Sequence, residues 1–576
     1  MILFVPPPQR ERERERERES VMKAGEMAEC RLIKHRSGFC PSDCIFYSKR
    51  KPVALPMEDH LDVATFVASL PHSGDVALID ATTGEKVTYP RLWSMVRSLA
   101  AGLSSLGVRR GDVVLLISPN SVRFPVVCLA VLSLGAVLTA ANPLNTTQEI
   151  RQQASDSRPV LAFTTPEFLP KVAGLGLPIV LMGHYSHGGG RLDVKVAATM
   201  QQLVEAWPTP TEGLRDAVRQ GDTATLLYSS GTTGRSKGVA SSHRSLIATI
   251  IMVMQRFRLS DGAQTFLGRV PMFHVYGLTV LGLGALASGS TVVVVSEPGL
   301  ESIATAIERY GVTYFPLAPP LVAALAKSPT LDLYDMSSLQ TVLCGGAPLS
   351  QDVVQEFEAR FPQVALLQGF AMTETTGMGS STDTVEESKR IGSSGLLSPN
   401  MEAKIVDAET GRALGENGRG ELWLRGPCIM KGYHSNAEAT KLILDEEGWL
   451  KTGDLCYIDN DGYLFVVDRL KELIKYKGFQ VPPAELEALL LAHPQIIDAA
   501  VVPFPDEIAG QIPLAYVVRR EGTDDVLEED EVITFIANQV APYKKVRKVS
   551  FVGSIPRTPS GKILRKDLIK IATSCL

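Results

Sequence analysis

Between residues 113 and 296 the chain repeatedly sets a short, almost wholly apolar run after a longer stretch whose apolar residues recur at helical spacing. The short runs are VVLLIS (113–118), AVLTAA (136–141), VLAFTT (160–165), ATLLYS (224–229) and TVVVVS (291–296). Strands that are apolar on both faces belong in parallel sheets covered by helices. Their alternation with helical segments predicts layered α/β structure over about residues 51–330. Two charge-free stretches, 124–141 and 275–296, approach the length of a membrane span. Each breaks at glycine into a helix-like half and a strand-like half, so a buried helix feeding a buried strand is expected instead.

From 400 to 467 the texture changes. EAKIVDAETGRAL, GELWLRG and DGYLFVVD are short alternating runs in which Glu-Thr-Gly and Asn-Asp-Gly mark hairpin turns, as in a small antiparallel barrel or sheet. After Arg469, KELIKYKGFQVPPAELEALLLAHPQIIDAAVVPFP reads strand, turn, helix, strand. Pro482 and Pro483 open that helix, and Glu485 and Glu487 lie near its N-terminal end. The expected fold class is therefore α/β: a large N-terminal domain of layered α/β sheets plus a small β-barrel over 51–470, with a mobile α+β C-terminal domain over 471–576. Residues 1–50 are expected as a disordered extension. The Arg-Glu alternation from Arg10 to Glu19 gives a helix no apolar face, and four apolar residues before three prolines do not make a secretory signal. Met22 and Met27 are candidate alternative starts.

Composition narrows the partners. A chain of 576 residues exceeds a single core, and 45% apolar against 21% charged residues is ordinary for a globular protein. A net charge of −5 supplies no long-range attraction to nucleic acid or anionic membrane, which leaves a small-molecule partner. The eight cysteines show no CxxC pair and read as reduced thiols, with Cys40 and Cys44 near His35 the one candidate metal grouping. The terminal Ser574-Cys575-Leu576 differs by one residue from the Ser-Lys-Leu peroxisomal address. It predicts binding to a peroxisomal import receptor, with the cytoplasm as the alternative location.

The densest chemistry sits in LYSSGTTGRSKGV (227–239), where hydroxyls and glycines follow an apolar run and precede one lysine. Such a loop exposes backbone N–H groups in a concave nest suited to phosphate oxygens, and Lys237 adds a charge. It also reads as a bare polar surface turn. It is not a Walker A loop: counting from Gly231, the sixth position is Ser236, and Gly238 follows the lysine where that loop needs a hydroxyl.

SSGTTGRSKG resembles the phosphate loop of the adenylate-forming superfamily of acyl-CoA synthetases, luciferases and adenylation domains. Further segments resemble the same family in the same order: QGFAMTETTG (368–377), GRGELWLRG (418–426), KTGDLCYIDNDGYLFVVDRLKELIKYKGFQVPPAELE (451–487) and PRTPSGKILRKDL (556–568). Together they cover about residues 55–570, with plant 4-coumarate:CoA ligase-like enzymes as the nearest likeness. The resemblance implies an ATP-dependent acid-thiol ligase using ATP, Mg2+ and coenzyme A. A carboxylate displaces pyrophosphate to form an acyl-adenylate, and the thiol of CoA then displaces AMP.

It also implies roles. Ser229, Ser230, Gly231, Thr232, Thr233, Gly234 and Lys237 would hold the β- and γ-phosphates; Gln368, Gly369 and Phe370 would sit at the adenine, and Thr373 at the α-phosphate. Glu374 would hold magnesium, although an isolated Thr-Glu pair is also a common helix cap. Asp454 would accept both ribose hydroxyls, with Arg469 assisting. Lys562 would serve adenylation, whereas Lys475, with Lys477, Gly478 and Gln480 around it, would serve the thioester step. Lys471 would be the hinge.

For the acyl group, His274 and Tyr276 in PMFHVYGL would form a gate and a wall, and Gly345, Gly346 and Gly369 would leave room for the tail. On spacing alone His274 also reads as a core histidine. Trp423 and Leu424, in a segment where coumarate ligases carry a cysteine and isoleucines, together with the terminal tripeptide shift the expected acid from a hydroxycinnamate toward a fatty acid or an oxylipin such as a jasmonate precursor. Two other readings use the same adenylate: a luciferase-like oxygenase, and a module loading a carrier protein. No carrier segment follows Lys562.

Overall fold

The computed structural model describes residues 33–574 except 73, 184–195, 207–216, 230–235, 257–263, 348, 478, 507, 521–526, 541 and 559–560. Among the described residues the strands form four sheets. The two large ones are those that the apolar runs predict. Val113–Ile117, Val137–Ala141 and Leu161–Thr164 pair in parallel at the heart of the first. Thr223–Ser229 extends it beside Val137–Ala141 and turns back antiparallel through Lys237–Ser242. The second has a parallel centre of Thr291–Val294, Thr265–Gly268, Tyr314–Leu317, Thr341–Gly345 and Ala365–Phe370.

Both membrane-length stretches resolve as expected. Arg123–Ser133 is a helix with nearly every residue buried, leading into Val137–Ala141. The second becomes a short turn of helix, a π-helical segment at Leu278–Gly284 and the strand Thr291–Val294. Among the described residues no helix is long and apolar enough to cross a membrane.

The third sheet is antiparallel and contains Glu402–Val406, Gly420–Arg425, Leu450–Ile458 and Leu464–Arg469. Its hairpins turn where the glycine signals lie. Asp407 accepts the amides of Glu409 and Thr410, and Asp459 those of Asp461 and Tyr463. The end strands of this section, Phe39–Cys40 and Leu464–Arg469, do not pair with each other, so it is a sheet rather than a closed ring among the described residues.

One expectation is overturned here. Residues 33–50 are not a disordered extension: Phe39–Cys40 and Ile45–Tyr47 pair with each other and join Glu402–Val406. Phe39 and Phe46 are buried with ring centroids 4.7 Å apart, and Lys34 and Arg36 pair with Glu416 and Asp461. Strands of two and three residues are too short for alternation to reveal them. Residues 1–32 lie outside the described residues. The metal idea also finds no support. Cys40 lies 3.0 Å from the Ser42 hydroxyl, Cys44 donates to the Pro41 carbonyl, and among the described residues no three His, Cys, Asp or Glu side chains converge.

The fourth sheet, built from Ile474–Tyr476, Phe479–Val481, Ile496–Asp506, Gly510–Arg519 and Lys548–Phe551, carries the helix Pro483–Leu491. Pro483 opens that helix, with Glu485 in its first turn. Helix and chain end are tied together by charge: Glu487, 8% exposed, receives two bonds from Arg565 at 2.8 and 2.7 Å and one from the Val501 amide. Arg565 also pairs with Glu472 at 2.8 Å. Burial pushes the Glu487 carboxyl up to about 7 even with this counterion. Removing the guanidinium strands a buried carboxylate, so Arg565→Met is expected to cost about 3–5 kcal/mol. A urea transition of the C-terminal unit unchanged from wild type would contradict this.

Candidate active site

Three separate parts of the chain meet at one carboxylate. Ser229 ends the Thr223–Ser229 strand, and Lys237, its ladder partner, begins the return strand, so the two residues stand at the base of the 230–236 connection. Tyr433 pairs with Val239 on the far side of that return strand. Glu374 arrives from the other large sheet, in the turn after Ala365–Phe370. Its Oε1 accepts the Ser229 hydroxyl at 3.0 Å and the Tyr433 hydroxyl at 2.9 Å. Lys237 Nζ lies 4.8 Å from the centre of the Tyr433 ring. Burial and the Glu374 charge together push the Tyr433 phenol above its ordinary range.

The turn that delivers Glu374 is anchored on all sides. Thr376 has φ +49° and shares a hydrogen bond with Ser241 at 3.1 Å, while its carbonyl accepts from Thr249. Gly377 follows at φ +83°, and a Cβ there would stand 2.8 Å from the Thr279 hydroxyl oxygen. Only glycine tolerates both conditions. Thr373 is half-buried in this turn, and Gln368, Gly369 and Phe370 are half-buried at the end of the strand before it.

A second charged centre lies on the antiparallel sheet. Asp454 is paired in the ladder with Arg469 and bonded to it at 3.1 Å through Oδ1. It is 2% exposed, and Oδ2 has no hydrogen-bond partner among the described residues. Burial raises this carboxyl to about 6 although the charges of Arg469 and Lys562 pull it down.

Lys562 is half-buried, and burial, with the nearby charge of Arg469, lowers its ammonium. Its position is set by a turn in which its amide donates to Thr558 Oγ1 at 3.1 Å and Arg557 donates to the Gly561 carbonyl at 2.9 Å. Gly561, at φ +84°, rests against Pro320, where a Cβ would come within 2.9 Å of the ring.

Lys475 is exposed on Ile474–Tyr476, opposite Gln480 in the ladder, with its amide held by Gln511. Lys471 and Lys477 are exposed as well, Lys477 at φ +46°. None of these three shares the Lys562 position. Ser230, Gly231, Thr232, Thr233, Gly234, Gly478 and the last two residues fall outside the described residues.

The residues expected to line the acyl group lie at the carboxyl ends of parallel strands, where open α/β sheets place their ligands. Gly345 and Gly369 are ladder partners there, and Gly346 follows at φ +94°. Tyr276 donates to the Leu343 carbonyl at 2.8 Å, and its ring lies 3.6 Å from where a Gly345 Cβ would be. His274 is half-buried, its Nδ1 accepts the Tyr276 amide at 3.3 Å, and burial lowers its imidazole pKa.

The comparisons with known proteins decide the family. A family model for AMP-binding enzymes matches residues 67–434, and one for the AMP-binding enzyme C-terminal domain matches residues 485–562. This chain belongs to the AMP-binding enzymes. It is 57% identical to a probable CoA ligase of Humulus lupulus over 95% of this chain and 99% of that one. It is 56% identical to the peroxisomal OPC-8:0-CoA ligase 1 of Arabidopsis thaliana over 94% and 99% of the two chains. Among solved structures it resembles ATP-bound MatB from Rhodopseudomonas palustris, with a TM-score of 0.79 at 27% identity over 89% of this chain and 99% of that one. It also resembles o-succinylbenzoate coenzyme A synthetase from Bacillus subtilis in complex with ATP and magnesium ion, with a TM-score of 0.75 at 26% identity over 88% and 99% of the chains.

Tyr433 is the site residue of this AMP-binding enzyme that sequence reasoning missed. It lies 59 positions from Glu374, and only the antiparallel ladder between 237–242 and 432–433 brings it there. Trp423 corrects the reading in the other direction. Its indole donates to Glu421 at 2.8 Å and lies beneath Lys451, and Glu421 in turn accepts the Gly453 amide at 3.1 Å. These contacts are made within the antiparallel sheet, so Trp423 is no evidence about the acyl tail.

The raised Asp454 carboxyl has a consequence for stability. Because its folded pKa of about 6 lies above the ordinary 3.8, its contribution is intact below 3.8 and is lost as pH rises through about 6. Asp454→Asn is therefore expected to melt above wild type at pH 8 without ligand, with the gap closing as the pH falls from about 6 to 4. An Asn variant that is less stable at pH 8 would refute the buried-charge account.

Proposed function

We propose that this AMP-binding enzyme is an acid:CoA ligase. It joins a carboxylic acid to the α-phosphate of ATP with loss of pyrophosphate, then exchanges AMP for the thiol of coenzyme A. The observation that carries this reading is that the charge of Lys562, from the C-terminal part of the chain, acts on the buried Asp454 that pairs with Arg469. A carboxylate of this kind suits two ribose hydroxyls. The CoA ligases among its relatives favour this over a luciferase-like oxygenase or a carrier-loading module.

The residues divide the work by charge. Ser229, Lys237 and the loop between them cradle the β- and γ-phosphates, and Thr373 reaches the α-phosphate. Phe370 covers adenine. Asp454 takes the ribose hydroxyls through the oxygen that has no partner, with Arg469 holding the other. Magnesium would fit Glu374: among the described residues both hydroxyls bind Oε1, so Oε2 would serve as a hard oxygen ligand. When bound, the ion neutralises phosphate charge.

Lys562 lies between the α-phosphate and the incoming carboxylate and steadies the charge that builds there. Lys475, exposed on the same unit where Lys562 is half-buried, takes over in thioester formation after that unit turns about Lys471. Acids with hydroxycinnamate, fatty or oxylipin tails are the substrate classes, and His274 and Tyr276 flank their path.

Lys562→Ala is expected to lower adenylate formation, followed by pyrophosphate release, about 100- to 1,000-fold. Thioester formation from supplied acyl-adenylate stays near wild type; equal loss of both half-reactions would reject the assignment.

We place the enzyme in the peroxisome on the strength of its peroxisomal relative and the terminal Ser574-Cys575-Leu576. Deleting these three residues from a fluorescent fusion is expected to turn punctate signal diffuse; unchanged puncta would rule out the tripeptide as the address.

A further inference from the structure

The loop that carries His274 is tied to the other large sheet by one side chain. Asn120 follows the strand Val113–Ile117 of the first sheet and precedes the buried helix Arg123–Ser133. The loop follows the strand Thr265–Gly268 of the second sheet and runs on to His274. Asn120 Nδ2 donates to the Gly268 carbonyl at 3.2 Å and to the Val270 carbonyl at 2.8 Å. Its Oδ1 accepts the Met272 amide at 2.8 Å. One side-chain amide from the first sheet thus binds every second residue of a loop in the second.

The chemistry of that grip is exacting. The loop presents two carbonyls and one N–H, and a primary amide has the matching N–H donors and oxygen acceptor. Among side chains of this length only asparagine supplies that set. A carboxylate would set its oxygens against two carbonyls, and alanine would leave all three groups unmet. Among the described residues the Val270 carbonyl and the Met272 amide have no other hydrogen-bond partner, and Val270 and Met272 are buried. Polar backbone groups left unpaired in such a place are costly.

Beyond Met272 the chain turns tightly into His274. The His274 amide donates to the Pro271 carbonyl at 3.2 Å, and a Cβ at Gly277 would stand 2.2 Å from that carbonyl oxygen. Tyr276 has an anchor of its own, its hydroxyl bond to the Leu343 carbonyl. The imidazole of His274 takes its place from the backbone before it, and Asn120 holds that backbone. The nucleotide residues depend on separate bonds, Glu374 on Ser229 and Tyr433, and Asp454 on Arg469.

We propose that Asn120 is a positioning residue for the acid: acting through the backbone of residues 268–272, it holds His274 beside the acyl path and takes no part in holding ATP. The inference rests on the acid:CoA ligase reading, in which His274 flanks that path.

The test is kcat and KM for ATP-dependent thioester formation from para-hydroxycinnamic and octanoic acids, in wild type, Asn120→Ala, His274→Ala and the double variant. Asn120→Ala is expected to raise KM for the acid about 10-fold, the range of one or two lost hydrogen bonds, with KM for ATP within about twofold of wild type. In the His274→Ala background the same substitution changes KM for the acid less than about twofold, because both act through one imidazole. Asn120→Ser keeps one hydroxyl as donor and acceptor; it falls between wild type and alanine, and serves if the alanine variant does not fold. A lowered melting temperature with KM for the acid unchanged, an equal rise in KM for ATP, or a full rise that persists without His274 overturns the role of Asn120. Failure of wild type to form a thioester from either acid instead defeats the ligase reading.

Discussion

The carboxylate of Glu374 is where the two large sheets are made to agree. It receives one hydroxyl from the end of a strand in the first sheet and another from Tyr433, paired to the edge of that sheet, while its own backbone belongs to the second. Each is a charge-assisted bond made in a nearly dry place, where such bonds are stronger than their neutral counterparts. It also fixes the base of the 230–236 connection, because Ser229 and Lys237 are ladder partners at its two ends. The positive-φ turn at Thr376 and Gly377 is the backbone cost of bringing Glu374 into place, and bonds to Ser241 and Thr249 offset it.

Buried charge recurs in three other places. Asp454 is held with one oxygen bonded and the other without a partner; Glu487 stays buried under Arg565; Arg256 sits among Asp383 and Arg50. Such groups are expensive to desolvate. Their presence is economical only if binding recovers part of the cost, as ribose hydroxyls would at Asp454. The Arg565 cluster acts differently: it welds the C-terminal helix to Glu487 and Glu472 and so holds the C-terminal unit together.

Much of this was legible beforehand. The strands at 113–117, 137–141, 161–164, 223–229 and 291–294 lie within a residue or two of the apolar runs that predict them, because a strand buried on both faces has little choice of residue type. The hairpin at 407–412 and the helix at 483–491 follow from glycine, aspartate and proline chemistry that acts over a few residues. The strands at 39–47 were invisible because two or three residues carry no periodicity, and Trp423 misled because a residue type says nothing of which sheet face it occupies.

The order of the motifs, the class of each element and the residue types able to meet a nucleotide were thus fixed by the chain alone, since each depends on near neighbours or on composition. Which side chains meet depended on folding: Ser229 and Tyr433 bond to Glu374, and the charge of Lys562 acts on Asp454. Those pairings join residues far apart in the chain across separate sheets. They exist because the sheets pack one particular way, and no local spacing encodes that packing.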